Sequence, residues 1–167
     1  MNGISQVRDC LLHQLHQAQI PAEAAFSHQV MERRSTGVIC LSVGRRETES
    51  EGFGDYLGQK TDADGNWQEI YGKRMELLLE MWVYVPAEQG AQGCEELSER
   101  TTQVLLGQLP SGLRLRSLKW EQVEWDKNST MFLQKGQAVC RACFIASASE
   151  ETEAALLDFE LKGVVST

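Results

Sequence analysis

Cys140 and Cys143 form a Cys-x-x-Cys within the stretch GQAVCRACFIASAS. At the start of a helix this spacing makes a thiol–disulfide redox pair, and with two further ligands it makes half a zinc site. On a strand it is only two thiols. Val139, Phe144 and Ile145 favour a strand, and Ala138, Cys140, Ala142, Phe144 and Ala146 then share one small or apolar face. Cα atoms three residues apart on a strand are separated by roughly 10 Å, beyond the roughly 7 Å that a disulfide spans. Cys140 therefore reads as a core residue and Cys143 as belonging to the other face, with no redox role.

The zinc alternative needs His13 and His16, which are spaced like a helical ligand pair. The surrounding helix has its apolar stripe at Ile4, Val7, Leu11, Leu15 and Ala18. His13 falls nearly opposite that stripe and His16 well off it, so a packed helix directs both at water. TDADGNWQE places Asp62, Asp64 and Asn66 as in a calcium loop. Its glycine is out of position, however, and Lys73 stands where the bidentate glutamate is required; a hairpin turn at Asp64-Gly65 or Gly65-Asn66 is the simpler use of these residues.

Nucleophile elbows, phosphate loops and dinucleotide fingerprints are all missing from the sequence. His28 sits in a strand-like segment and reads as a sheet residue. Nothing pairs the carboxylates Asp55, Glu121, Glu124 and Asp126. Trp67, Trp82, Trp120 and Trp125 lack the interleaved basic residues of a base-stacking platform and suit a core or a protein interface. The expectation is thus a non-enzyme with no catalytic residues, no cofactor-binding residues, no metal ligands and no cofactor.

The elements that would position these residues follow from periodicity. A helix is predicted over residues 4–19, stopped by Pro21. AAFSHQVME reads as a strand with Phe26, His28 and Val30 on one face, and Val38 to Val43 as a central strand apolar on both faces. Residues 45–68 are polar and rich in glycine and acid, and are expected to form a long loop or hairpin excursion. In EIYGKRMELLLEMWVYVPA, Met75, Leu77, Leu79, Met81, Val83 and Val85 alternate without a break, which outweighs the helix propensity of MELLLEM and predicts a strand. A second helix is predicted over 93–109, with Glu95 and Glu96 in its first turn and Leu97, Thr101, Val104, Leu105 and Leu109 buried. LRLRSLKWEQVEW, TMFLQKGQAVCRACFIAS and ALLDFELKG read as strands. The fold class expected is α+β: one domain spanning residues 1–167, a mainly antiparallel mixed sheet of about six strands, and two amphipathic helices on one face.

Composition narrows the function classes. The 167 residues are 42% hydrophobic and 24% charged, as in folded domains. A net charge of −8 disfavours sequence-independent nucleic-acid binding. The strongest basic cluster is Arg114, Arg116 and Lys119, with Glu121 and Glu124 close by in sequence. MNGISQVRDCLLHQLHQAQI resembles neither a signal peptide nor a membrane anchor. The five cysteines are accordingly expected to be reduced thiols in a cytoplasm, and the sequon at Asn128-Ser129-Thr130 is expected to carry no glycan.

YGKRMELLLEMWVYVPAEQGAQGCEEL, then LPSGLRLRSLKWEQVEWDKNSTMFLQKGQAVCRACFIA and a closing LDFELKG, resemble tail terminator or tail completion proteins of tailed bacteriophages and of prophages of low-GC Gram-positive bacteria. Tyr71, Arg74, Met75, Glu76, Tyr84, Pro86, Gly90 and Cys94 carry the first part of the likeness. Glu124, Asp126, Met131, Phe132, Cys140 and Ala142 carry the second. The likeness covers roughly residues 70 to 163 and leaves the acidic stretch from Glu47 to Asn66 unmatched. It implies a sheet flanked by two helices and a ring, commonly hexameric, that caps the tail tube and meets the head–neck connector. Partners would be further copies of the chain, the tube protein and a neck protein, with no membrane and with DNA only in passage. The place of action would be the host cytoplasm during assembly and then the tail–neck junction of the virion. A related head–tail joining protein is the near alternative, and a thiol- or zinc-dependent enzyme the distant one. Trp82 and Tyr84, on a strand apolar on both faces, are expected to offer aromatic surface for burial in such a ring.

Overall fold

A computed structural model describes residues 4–25, 31–49, 56–61, 65–107, 109, 112–146 and 159–161. Its spine is β4 (Trp67–Pro86), a strand of 20 residues. Because side chains alternate across a strand, Met75, Leu77, Leu79, Met81, Val83 and Val85 all project to one side, and all are buried. A helix would have spread the same residues around its whole circumference, so the unbroken alternation prevails over local helix propensity.

Around β4 the chain runs α1 (Ile4–Gln17), β1 (Ala22–Ala24), β2 (Val38–Glu49), β3 (Tyr56–Thr61), then α2 (Gly90–Gly107), β5 (Leu113–Trp120), β6 (Glu124–Asp126), β7 (Met131–Ala146) and β8 (Phe159–Leu161). The eight described strands form one sheet in the order β1-β2-β4-β7-β5, with β3 also on β4, and β6 and β8 also on β7. Every pairing is antiparallel except the short parallel contact of β1 with β2. The α+β class expected from the sequence is what the chain adopts.

Both helices cover one face. Val7, Leu11 and Leu15 of α1, and Cys94, Leu97, Val104 and Leu105 of α2, join the buried row of β4 together with Ile39, Leu41, Leu113, Ala138, Cys140 and Ala142 in a single core. Small residues on β7 let α2 approach. Trp120 packs against Gly136, where a Cβ would come within 2.4 Å of its ring. The Trp120 indole Nε1 donates to Thr102 Oγ1 on α2 at 2.9 Å, so one side chain ties β5, β7 and α2 together.

Several boundaries differ from expectation for identifiable reasons. The first helix ends at Gln17 rather than at residue 19, since Gln19 adopts a left-handed φ of 56°. Ile20 N then donates to Leu15 O, and Arg100 on α2 donates to the carbonyls of Ala18 and Gln19. This closes the helix end in the manner of a Schellman motif. The second helix runs over Gly90–Gly107 instead of 93–109, entered through a 3-10 turn at Ala87–Gln89. Glu95 and Glu96 consequently fall in the second turn, where the helix dipole is weaker. The stretch 45–68 is paired along much of its length: β2 reaches Glu49, β3 covers Tyr56–Thr61, and β4 begins at Trp67. The loop alternative is therefore corrected to a β-arm, its described part being β2's end, β3 and the start of β4. The strand expected through Phe26, His28 and Val30 lies outside the described residues. The parallel β1 just before it, and the break at Glu121–Val123 that separates β6 from β5, were not foreseen.

Candidate interaction surface

The Cys-x-x-Cys lies within the continuous strand β7, where Cys140 registers with Leu77 and Cys143 with Arg74. Cys140 is fully buried in the core, and burial pushes its thiol from 9.0 up to about 11. Burial likewise pushes Cys94 up to about 11. It pushes Cys40 up to about 12, with the neighbouring Glu23 carboxylate adding to the effect. A reactive thiol requires the opposite shift.

His13 and His16 are both exposed on α1, as the helix geometry required. His13 Nε2 is hydrogen-bonded to Gln17 Nε2 at 3.0 Å, and His16 Nε2 lies 2.7 Å from Ala22 O. Among the described residues no cluster of three or more His, Cys, Asp or Glu is placed to hold a metal ion. His28, Asp55, Asp62 and Asp64 lie outside those residues; Gly65 has a φ of 87°, as a tight turn demands.

Two of the candidate carboxylates share strand β6, yet each has its own occupation. Glu124 accepts an ion pair from Lys135 Nζ at 2.7 Å. Asp126 caps the turn into β7, accepting from Ser129 Oγ at 2.6 Å and from the backbone N–H groups of Asn128 and Ser129. The Ser129 hydroxyl leads in holding the Asp126 carboxyl below its ordinary range, and the two backbone donors assist. Ser129 is itself buried in this turn.

The face of the sheet opposite the two described helices, called the helix-free face below, has a more distinctive pattern. Registers place Val38, Tyr84 and Leu133 in one row across it, and Cys40, Trp82 and Lys135 in the next. Val38, Cys40 and Leu133 are buried there, and Trp82 and Tyr84 are half-buried. The expectation that Trp82 and Tyr84 supply the exposed aromatic surface is corrected accordingly. A Glu23–Arg34 ion pair of 2.7 Å, with Cys40 Sγ donating to Glu23 Oε1, lies beside them.

Exposed aromatics occur elsewhere. Trp67 is 74% exposed, Tyr71 42% and Tyr56 40%, all on the β3–β4 arm, where Tyr56 and Tyr71 meet edge-on with centroids 5.7 Å apart. Trp125 is 44% exposed and packs edge-on against Phe132.

Further along the helix-free face, Glu47, Glu76, Arg141 and Arg114 occupy one row across β2, β4, β7 and β5. Glu76 and Arg141 form a partly exposed ion pair of 3.7 Å at its centre. Acid thus meets acid toward the β2 side and base meets base toward the β5 side. Cross-strand pairs of like charge are unfavourable in isolation. The sequence could not reveal this row, because it depends on registers set by bulges between Val43 and Arg45 and between Leu115 and Ser117.

No family model matches the chain, and no curated protein matches it. Among the described residues no helix is long and apolar enough to cross a membrane.

Proposed function

We propose that the protein is a structural component of a tailed bacteriophage or prophage, a tail terminator or tail completion protein. Copies assemble as a ring on the finished tail tube, stop its growth and present a surface to the neck connector. No bond is made or broken; the work is done by complementary surfaces. One observation carries the reading. The two segments that bear the family likeness fold against each other, β4 pairing with β7 from Tyr71↔Ala146 to Pro86↔Met131, with α2 packed on that pair. The likeness therefore corresponds to one contiguous structural unit. The buried, unreactive thiols of Cys40, Cys94 and Cys140 favour this reading over thiol chemistry.

The acidic balance of the chain suits a ring through which DNA slides without adhering. Assembly takes place in the host cytoplasm and ends at the tail–neck junction.

Native mass spectrometry and negative-stain electron microscopy of the full chain test the proposal. The expected particle is a closed ring with an open centre that binds the end of a tail tube. A two-fold dimer, a strict monomer that ignores tube ends, or a basic lumen would count against it.

A further inference from the structure

We infer that the open β5 edge is a docking strand for a partner protein, taking an extended segment in which acidic residues alternate with apolar ones. The inference goes beyond the ring reading and does not depend on it.

Charge identifies the acidic half of that pattern. β5 carries Arg114, Arg116 and Lys119, all exposed, and has no carboxylate. Carboxylates are plentiful in the chain, with 24 Asp and Glu against 16 Lys and Arg, and neighbouring cations use them: Lys135 is held by Glu124 and Arg141 by Glu76. Among the described residues none forms an ion pair with Arg114, Arg116 or Lys119. Arg114 registers with Arg141 and Lys119 with Gln137 on the helix-free face. The bulge between Leu115 and Ser117 leaves Arg116 without a ladder partner. Like charges set opposite one another on a sheet are unfavourable, and carboxylates brought from outside would relieve the placement of Arg114 beside Arg141.

Strand geometry supplies the apolar half. Among the described residues β5 ends its side of the sheet and is bonded only to β7. An extended chain added to such an edge gains main-chain hydrogen bonds and is read through its alternate side chains. Those on the helix-free side would meet the cations, and those between them would turn toward the helices. There Leu115 and Leu118 are only half-buried at the rim of the core. Leu106 is 71% exposed, and the helical period sets it one turn beyond Thr102, on the side of α2 that meets Trp120 of β5. The edge is thus basic on one side and apolar on the other. A phosphate backbone offers neither the apolar alternation nor a strand to pair, so the surface fits a polypeptide better than a nucleic acid. Charged edges discourage indiscriminate strand addition, and here the discrimination favours acid.

Fluorescence anisotropy of the full chain with a short labelled peptide of alternating Glu and Val tests the inference. The comparison probes are a peptide of the same composition with its Glu and Val in separate blocks, a peptide of alternating Lys and Val, and single-stranded DNA. The alternating Glu and Val peptide is expected to bind at least about tenfold more tightly than any of them. Arg114→Glu with Arg116→Glu is expected to weaken it by roughly tenfold or more, and Leu106→Ser by roughly threefold. Raising NaCl from about 0.05 M to about 0.5 M is expected to act in the same direction. Circular dichroism establishes that each variant is folded. Equal binding of the block peptide or of DNA would overturn the inference by revealing a general anion surface. A peptide that fails to bind would overturn it too, leaving the cations as mere protection of the edge. Sedimentation velocity covers the remaining occupant: self-association abolished by the two arginine changes would assign the edge to a second copy and overturn the inference. A ring that ignores the peptide counts against this inference alone, and a strict monomer that ignores tube ends yet binds the peptide counts against the ring reading alone.

Discussion

Strand β4 behaves as two different strands in one. From Met75 to Val85 its alternate residues are buried beneath α1 and α2, while from Trp67 to Tyr71 residues of the same parity stand exposed beside β3. Backbone pairing continues through both parts, since Tyr71 registers with Tyr56 on one side and with Ala146 on the other. What differs is the second layer. A sheet face becomes core where a helix covers it, and the same alternation without a cover leaves aromatic side chains in water. Stability should therefore reside in the covered part, and the arm should be free to serve contacts.

The largest effects are expected where the cover meets the spine. Leu77 is fully buried, and Leu77→Ala should cost about 2–5 kcal/mol, as for other core leucines. Trp67→Ser on the arm should change stability by no more than about 0.5 kcal/mol. Urea denaturation of the two variants checks the contrast; equal losses would show that the arm belongs to the cooperative core. Gly136 offers a second probe at the same boundary. A side chain there collides with the ring of Trp120 at 2.4 Å, so Gly136→Val should cost about 1–3 kcal/mol through overpacking. The double variant with Trp120→Ala should recover part of the Gly136→Val loss, because the colliding ring is gone.

The sequence made this division only partly legible. Alternation over Met75–Val85 announces the covered strand, and the stripes Val7-Leu11-Leu15 and Leu97-Thr101-Val104 announce its cover, because burial imposes a period on residue choice. Among the described residues no helix lies above the arm, so burial imposes no period there to read. Its polar and glycine-rich residues resemble a loop, although backbone hydrogen bonding there is that of a strand. Ala22-Glu23-Ala24 is too short to show a pattern, and its strand character comes from the partner Ile39–Leu41. Cys140 and Cys143 were readable because strand geometry alone separates them. The charge row from Glu47 to Arg114 was not, since two bulges set which residues face one another.

Alkaline pH probes the buried thiols, Cys94 and Cys140 in the covered core and Cys40 on the opposite face of the sheet. Cys40, Cys94 and Cys140 ionise near 9.0 when unfolded and near 11 to 12 when folded. Folding holds their protons more tightly, so this stabilisation is fully present below pH 9 and is lost as pH rises through the folded values. Urea midpoints should fall progressively above pH 9, and replacing Cys94 by Ala should flatten the decline. A decline unchanged in all three single cysteine variants would place the alkaline sensitivity elsewhere.

The smallest expected effect concerns how the cover is fastened. Gln19 holds a left-handed backbone at the end of α1, with φ at 56°, and Arg100 reaches from α2 to the carbonyls of Ala18 and Gln19. A residue with a Cβ is strained in that conformation and glycine is not. Gln19→Gly should therefore raise stability by a few tenths to about 1 kcal/mol, the relief of strain being offset in part by greater freedom of the unfolded chain. Arg100→Ala should lower stability by about 1 kcal/mol, the range of a charge-assisted hydrogen bond at a partly wet site. In hydrogen exchange, Arg100→Ala should speed exchange at the end of α1 more than across Met75–Val85, whereas Gln19→Gly should slow it there. Equal acceleration along β4 in the Arg100 variant would mean that helix and spine open as one unit, and the fastening would then be part of the core itself.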